Sequence, residues 1–354
     1  MAALTRQEWL NWNIPHVTIS VITQNRPQSL NRLLMSLSQS LFFGDNVSLK
    51  FNLEQSSDGQ TMHLVDSFIW NHGPIFIHHR VIHGGLLPAV VESWYPHANH
   101  TYALILEDDV EVSPLFYAWI KMAILRYRYG DEKNLSPQLF GISLYQQKNL
   151  ELPIEGRRSF DARALFHQHN LEPSTPYLSP VPCSWGAVYF PNHWREFHDY
   201  ITIRLSEVVL NVDQDIVPNV RSNHWTKSWK KYFIELAFLR GYVMLYPNFS
   251  NYTSLSTNHL ELGSHVRSRT KEKQNLFQLP LMQLPQSASG GIGILNLPNN
   301  TLPCFDCLPA TNLTGAITHL SALKNAGALR RLELLNCTEE RALSFDAQSL
   351  MCIT

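Results

Sequence analysis

Three consecutive acids, Glu107, Asp108 and Asp109, follow a short apolar run from Tyr102 to Leu106. A continuous apolar run of that length is expected to form a buried strand of a parallel sheet. Side chains alternate faces along a strand, so adjacent acids at its C-terminal end fan out into the crevice there. Such a cluster repels itself unless a cation or donor groups neutralise it. Hard oxygen ligands suit Mg²⁺ or Mn²⁺ carrying a diphosphate. Ser113 and Pro114 then read as the N-cap and first-turn proline of the next helix. Strand, acids and helix in that order point to metal-dependent chemistry on a nucleotide sugar. The competing reading is an acid cluster in a solvated loop, and the surrounding elements decide between the two.

With 354 residues the chain can hold one large α/β domain with additions, or two modest ones. A formal net charge of −1 gives no footprint for nucleic acid or for electrostatic membrane attachment. No run approaches the roughly 20 apolar residues of a membrane span, and no signal peptide is visible at the N-terminus. Asn-x-Ser/Thr sequons recur, at Asn46, Asn99, Asn248, Asn251, Asn299, Asn312 and Asn336 among others. They suggest the Golgi or another secretory lumen, reached through an N-terminal membrane anchor that this chain lacks; without one the cytoplasm is expected. Cys304 and Cys307 form a CxxC whose relation to Cys337 and Cys352 suits a disulfide or plain thiols better than zinc.

HVTISVITQN, residues 16 to 25, reads as a first strand, followed by Arg26, Pro27 and a helix with Leu30, Leu33, Leu34 and Leu37 at helical spacing. A second strand over 47 to 55 ends in Glu54, with Asp58 just beyond. A short helix through residues 62 to 70, a strand over 74 to 82 and a helix after Pro88 lead to the acid-ended strand. Residues 115 to 129 read as a helix and 139 to 147 as a strand. Strand–helix alternation with short connections implies a parallel, doubly wound sheet. Residues 150 to 180, rich in proline, charge and histidine, read as a loop that shapes a pocket. Trp185 and Gly186 then precede a short strand and a helix opened by Asn192. The next helix ends at Arg240, capped by Gly241, before a strand closing at Tyr246. Beyond residue 270 the pattern weakens to linker, apart from a helix over 316 to 335.

The order of these parts resembles glycosyltransferases of the GT-A fold, and within them the N-acetylglucosaminyltransferase I type. Those enzymes carry Glu-Asp-Asp in place of the commoner Asp-x-Asp, and EDDVEVSPLFYAWI is similar to their motif. ISVITQNRPQSLNRLL resembles their first strand and its arginine-containing turn. PCSWGAVYF resembles their acceptor-side segment, although Trp185 and Gly186 stand in reversed order. SWKKYFIELAFLRGYVMLYP looks like their late helix, glycine turn and strand, and STNHLELGSH like the region beyond. The resemblance covers residues 15 to 268 as a GT-A domain, with 269 to 354 as a C-terminal extension of linker plus short helix. It implies a GT-A-like, mostly parallel, doubly wound sheet flanked by helices, and a hexosyl- or N-acetylhexosaminyltransferase. The donor would be a nucleotide sugar, a UDP sugar foremost, and the acceptor a glycan or glycoprotein.

Carried over by position, Asp109 would bind Mn²⁺ (or Mg²⁺) on the donor diphosphate, while Asp108 and Glu107 would meet ribose and sugar hydroxyls. Arg26 would lie against the nucleotide, and Glu54 or Asp58 would reach its uracil or ribose edge. Trp185, Gly186 and Trp229 would face the acceptor, and His265 could ligate a second metal position. One departure matters. Inverting members place a catalytic aspartate in a Trp-Asp-Asp-Trp stretch at the start of the late helix. Here that stretch reads Trp229, Lys230, Lys231, Tyr232, or Ser228 in another register, and neither supplies a carboxylate base. Glu235, Asp213 or Asp215 could serve as a displaced base. Alternatively the reaction could retain configuration, or the lysines could bind an acidic acceptor or the diphosphate; a solvated helix face is their bland reading. Two other functions stay in view: a catalytically inactive nucleotide- or carbohydrate-binding protein, and a nucleotidyltransferase. TQNRPQS lacks the lysine- and glycine-rich phosphate loop expected of the latter.

Overall fold

The computed structural model describes residues 4–206, 214–261, 275–284, 295, 297–335 and 352. After a short helix α1 (Arg6–Leu10), the chain alternates β1 (His16–Thr23), α2 (Pro27–Ser38), β2 (Ser48–Leu53), α3 (Gly59–Ser67), β3 (Ile75–His79), α4 (Leu86–Val91) and β4 (Thr101–Glu107). Next come β5 (Val110–Val112), α5 (Phe116–Arg128), β6 (Leu139–Ser143), the small ribbon β7 (Asn149–Leu150) and β8 (Arg158–Ser159), α6 (Ala162–Gln168) and β9 (Tyr177–Ser179). The described remainder contains β10 (Ala187–Tyr189), α7 (Pro191–Leu205), α8 (Trp229–Arg240), β11 (Val243–Tyr246), β12 (Ser256–Asn258), β13 (Ala310–Thr311), β14 (Ile317–Thr318) and a helix over Leu320–Leu335.

The main sheet has the order β14-β13-β9-β11-β6-β10-β4-β1-β2-β3. Strands β3, β2, β1 and β4 run parallel, as the alternation of strands and helices requires. β10 enters antiparallel between β4 and β6, so the second half of the sheet is mixed. Alternation along β4 sends Tyr102, Leu104 and Leu106 into one core with the leucines of α2 and with Trp119 of α5. Ala103 and Ile105 point into the other core, with Trp194 of α7 and Phe233 of α8. Helices therefore cover both faces of the sheet, which is the expected α/β architecture.

Several local expectations change. Residues 150 to 180 are not only loop: α6 forms there, and Tyr177 and Leu178 of β9 are fully buried in the main sheet. Ser113 Oγ accepts from the Leu115 N–H at 3.1 Å, yet it does not stand at the N-cap position of the helix that follows. Its hydroxyl donates to the Met282 carbonyl at 2.5 Å, and α5 begins at Phe116 with Leu115 at its N-cap. Helix α7 opens at Pro191 rather than Asn192. Cys304 and Cys307 are joined in a disulfide.

The helix Leu320–Leu335 packs on α8 at Gly327, where backbone meets backbone. A Cβ on Gly327 would lie 2.3 Å from the Phe238 carbonyl oxygen and 2.4 Å from that of Leu239. Gly327→Ala is therefore expected to cost about 1–3 kcal/mol, the range for overpacking. An unchanged urea midpoint would contradict this docking.

Candidate functional site

Ile22 of β1 lies in register with Glu107 of β4, so the C-terminal ends of two adjacent parallel strands open together. Two acids at that edge have different work. Asp108 is buried, with one carboxylate oxygen accepting from the Thr23 hydroxyl at 2.8 Å and the other from Arg26 Nη1 at 2.9 Å. It ties the turn after β1 to the end of β4. Asp109 faces outward and retains 18% side-chain exposure, with its Oδ2 3.9 Å from the same guanidinium nitrogen. The Asn258 side chain hydrogen-bonds it, and its backbone carbonyl accepts from the His259 N–H at 2.8 Å, so the β5–β12 pair braces it from behind.

The electrostatics of this edge are unbalanced. Desolvation, then the charges of Asp109 and Asp108, push Glu107 up to about 8. Desolvation and Asp108 push Asp109 up to about 6. Burial also raises Asp108, against the pull of Arg26. Arg26 cannot offset all three acids, which leaves a site short of positive charge. A hard divalent cation fits that deficit if Asp109 holds it together with phosphate oxygens of a ligand, as is usual for Mg²⁺ in nucleotide sites. Among the described residues no three His, Cys, Asp or Glu side chains converge to hold one.

The structure brings Arg26, Glu107, Asp108 and Asp109 together, and it adds Trp185 and Gly186. β10 runs antiparallel to β4 with Ala187 opposite Ile105, which carries Trp185 to the strand end where Glu107 stands. Gly186 has φ +94°. A Cβ there would sit 3.2 Å from Leu106 and 3.3 Å from Ser256, so the turn needs glycine on both counts. The Trp185 ring packs in tilted contact with Tyr145 at 4.7 Å and with Phe277 at 5.0 Å between centroids, with the Lys230 ammonium 5.6 Å from its ring centroid. Lys230 is no solvated helix residue: it is buried and bonds the Glu151 carboxylate.

Glu54 and Asp58 stand beside the turn after β1: the Glu54 N–H donates to the Thr23 carbonyl at 3.2 Å and the Asp58 N–H to Asn25 Oδ1 at 2.7 Å. Glu54 is buried, and its oxygens accept from the N–H groups of Gln55, Gly84 and Gly85 at 2.9 to 3.2 Å. Burial opposes its ionisation, but those three donors override it and hold its carboxyl below the ordinary range. It fastens the loop before α4. Asp58 caps α3, accepting from the Thr61 N–H at 2.7 Å. Trp229 is a core residue at 3% exposure, packed on Tyr189, Trp194 and Phe233, and does not face an acceptor.

Glu235 does not reach the crevice. Its oxygens accept from the Tyr200 hydroxyl at 2.7 Å and from Arg204 at 2.9 and 3.3 Å, all on α7. Asp215 is exposed, and its carbonyl bonds Arg330 beside the helix Leu320–Leu335. Asp213 and His265 lie outside the described residues. Thr23, Asn258 and Glu151 escaped the sequence reading. Thr23 alone carried a signal, as the last residue of β1 before the arginine turn.

Residues 28–142 and 158–210 match the family model described as the SPBC1E8.03c C-terminal domain. No curated protein matches the chain. Among solved structures it is similar to S. aureus TarS 1–349, at 12% identity and TM-score 0.42, over 66% of this chain and 58% of that one. It is also similar to the mannosyltransferase PcManGT from Pyrobaculum calidifontis in complex with GDP-Man and Mn²⁺, at 12% identity and TM-score 0.39, over 66% and 55%. A third similar structure is TarS 1–349 with UDP-GlcNAc, at 12% identity and TM-score 0.39, over 72% and 61%. The chain thus spans less than two thirds of each of these, and likenesses this distant transfer no activity.

Proposed function

We propose that this chain is a glycosyltransferase that takes a sugar from a nucleotide sugar, a UDP sugar foremost, and passes it to a glycan or glycoprotein. The observation that carries this reading is the acid edge at the ends of β1 and β4, with Glu107 and Asp109 pushed up and Arg26 the cation in contact. Open α/β sheets bind ligands at the carboxyl ends of their strands. A nucleoside diphosphate with a divalent cation supplies the positive charge that the crevice lacks. In this reading Asp109 holds Mn²⁺ or Mg²⁺, and Asp108 organises the turn on which Arg26 meets the nucleotide. Glu107 and Trp185 border the sugar. When bound, the cation stabilises negative charge growing on the leaving diphosphate.

The resemblance to the N-acetylglucosaminyltransferase I type favours a hexosyl or N-acetylhexosaminyl group, with residues 15–268 as the transferase domain and 269–354 as an extension of it. Exposed sequons at Asn46, Asn99, Asn251 and Asn299 suit a Golgi or other secretory lumen, whereas Asn248 is buried and hydrogen-bonded. Among the described residues no helix is long and apolar enough to cross a membrane. The lysines at the start of α8 favour a second reading, a catalytically inactive nucleotide- or carbohydrate-binding protein. Nucleotide release from UDP-glucose, UDP-N-acetylglucosamine, UDP-galactose and GDP-mannose with Mn²⁺ separates the two. Release above the protein-free rate with at least one donor is expected. Tight UDP binding with no release from any donor would favour the inactive binder.

A further inference from the structure

The main sheet ends in β14 on one side and β3 on the other, and the two edges are built differently. β14 is two residues long and half-buried, too short to template another strand. β3 is five residues long and carries none of the devices that blunt an edge. It has no lysine and no proline, and its register with β2 runs without a bulge. It is also largely bare. Phe76 is 55% exposed on one face and Ile77 48% exposed on the other, and Ile69, Val81 and Ile82 in the flanking segments are more exposed still. Large apolar side chains gathered in this way mark an interaction surface.

The hydrogen-bond register of this edge selects its occupant. The Leu49 N–H donates to the Pro74 carbonyl and the Arg80 N–H to the Leu53 carbonyl, so the even-numbered positions of β3 face β2. Alternation then turns the N–H and C=O of Ile75, Ile77 and His79 outward, where no strand among the described residues takes them. We propose that a second copy of this chain pairs with β3 antiparallel, about a two-fold axis at Ile77, and joins the two sheets into one. In that register every outward residue meets an outward residue. Ile77 meets its own counterpart and Ile75 meets His79, and each such pair exchanges both of its N–H···O=C bonds. Phe76 stands opposite His78 at the closer, non-hydrogen-bonded position, where cross-strand side chains interact best. Charge permits the pairing too. With histidine neutral, no side chain from Ile75 to His79 is charged. Arg80, the first charge beyond, comes opposite Pro74 and is already held by Glu92. Two identical edges therefore meet without opposing like charges, and an isologous contact of this kind closes at two copies. The pairing is independent of the transferase reading, since β3 carries none of the residues of the acid edge.

Sedimentation equilibrium of the full chain tests this. The wild type is expected to dimerise. Ile77→Lys and Ile77→Glu each set like charges face to face on the axis, and each should raise the dimer dissociation constant by at least about tenfold. Ile77 is exposed in the single chain, so both variants should keep the urea midpoint measured for wild-type monomer at high dilution. An equimolar mixture of the two variants should regain the dimer, because this register alone brings residue 77 of one copy against residue 77 of the other. A wild type that stays monomeric up to its solubility limit overturns the proposal and leaves the edge to a strand of another protein. Dimers that persist in both variants place the interface elsewhere and overturn it as well. Monomeric variants whose mixture also stays monomeric refute the two-fold register and with it the proposal.

Discussion

Glu107→Gln is expected to stabilise the ligand-free protein at pH 8 and to weaken Mn²⁺-dependent binding of the nucleotide sugar by at least about tenfold, one charge-assisted contact's worth. The sign follows from the proton balance. Glu107 titrates near 8 in the folded protein, against an ordinary value of 4.5. The folded state therefore holds this proton more tightly than the unfolded chain, and stability falls as pH rises from 4.5 to 8. Asp109 adds the same trend between 3.8 and 6. A neutral glutamine escapes the penalty, with a gain of about 1–3 kcal/mol at pH 8 after allowance for coupling among the acids. Urea denaturation of both proteins at pH 5 and pH 8 checks it. The midpoint difference should be small at pH 5 and favour the variant at pH 8. Equal differences at the two pH values would mean that the carboxyls are not held up in the native state.

Breaking the Glu235–Arg204–Tyr200 cluster should show up in stability before it shows up in chemistry. Glu235→Ala leaves the Arg204 guanidinium and the Tyr200 hydroxyl without their acceptor between α7 and α8, and Glu235 is 2% exposed. Removing one partner of a buried ion pair costs about 3–5 kcal/mol, whereas replacing both by apolar residues of similar size is often neutral. Glu235→Met combined with Arg204→Met is accordingly expected to recover most of the stability and to keep nucleotide binding and turnover. A double variant that folds and binds nucleotide yet has lost turnover would return Glu235 to the role of base.

The parallel strands and the acid edge were legible because each depends on local pattern. The run Tyr102 to Leu106 is apolar because β4 is buried on both faces, and the acids begin where the strand emerges into the crevice. The leucines of α2 and the Gly241 cap of α8, at φ +66°, were likewise written in spacing and residue type. Contacts distant in sequence were not legible. Lys230 and Glu151 are 79 positions apart, and nothing beside either marks an ion pair. Trp185 and Trp229 look alike as letters, yet one borders a small cavity and the other fills the core. Glu54 ends a strand as a donor-site acid would, but Gly84 and Gly85, thirty residues on, claim its carboxylate. Strand β9 has three residues set among prolines, and its place in the sheet comes from β11 and β13 rather than from itself.

The ends of β1 and β4 are proposed to form a metal-dependent nucleotide site. Calorimetric titration of UDP and GDP, with and without Mn²⁺, into the wild type and Asp109→Ala tests it most directly. UDP binding should require Mn²⁺ in the wild type and vanish in the variant, with the fold intact by circular dichroism. Binding of neither nucleotide by the wild type, or Mn²⁺-dependent binding unchanged in Asp109→Ala, would contradict it.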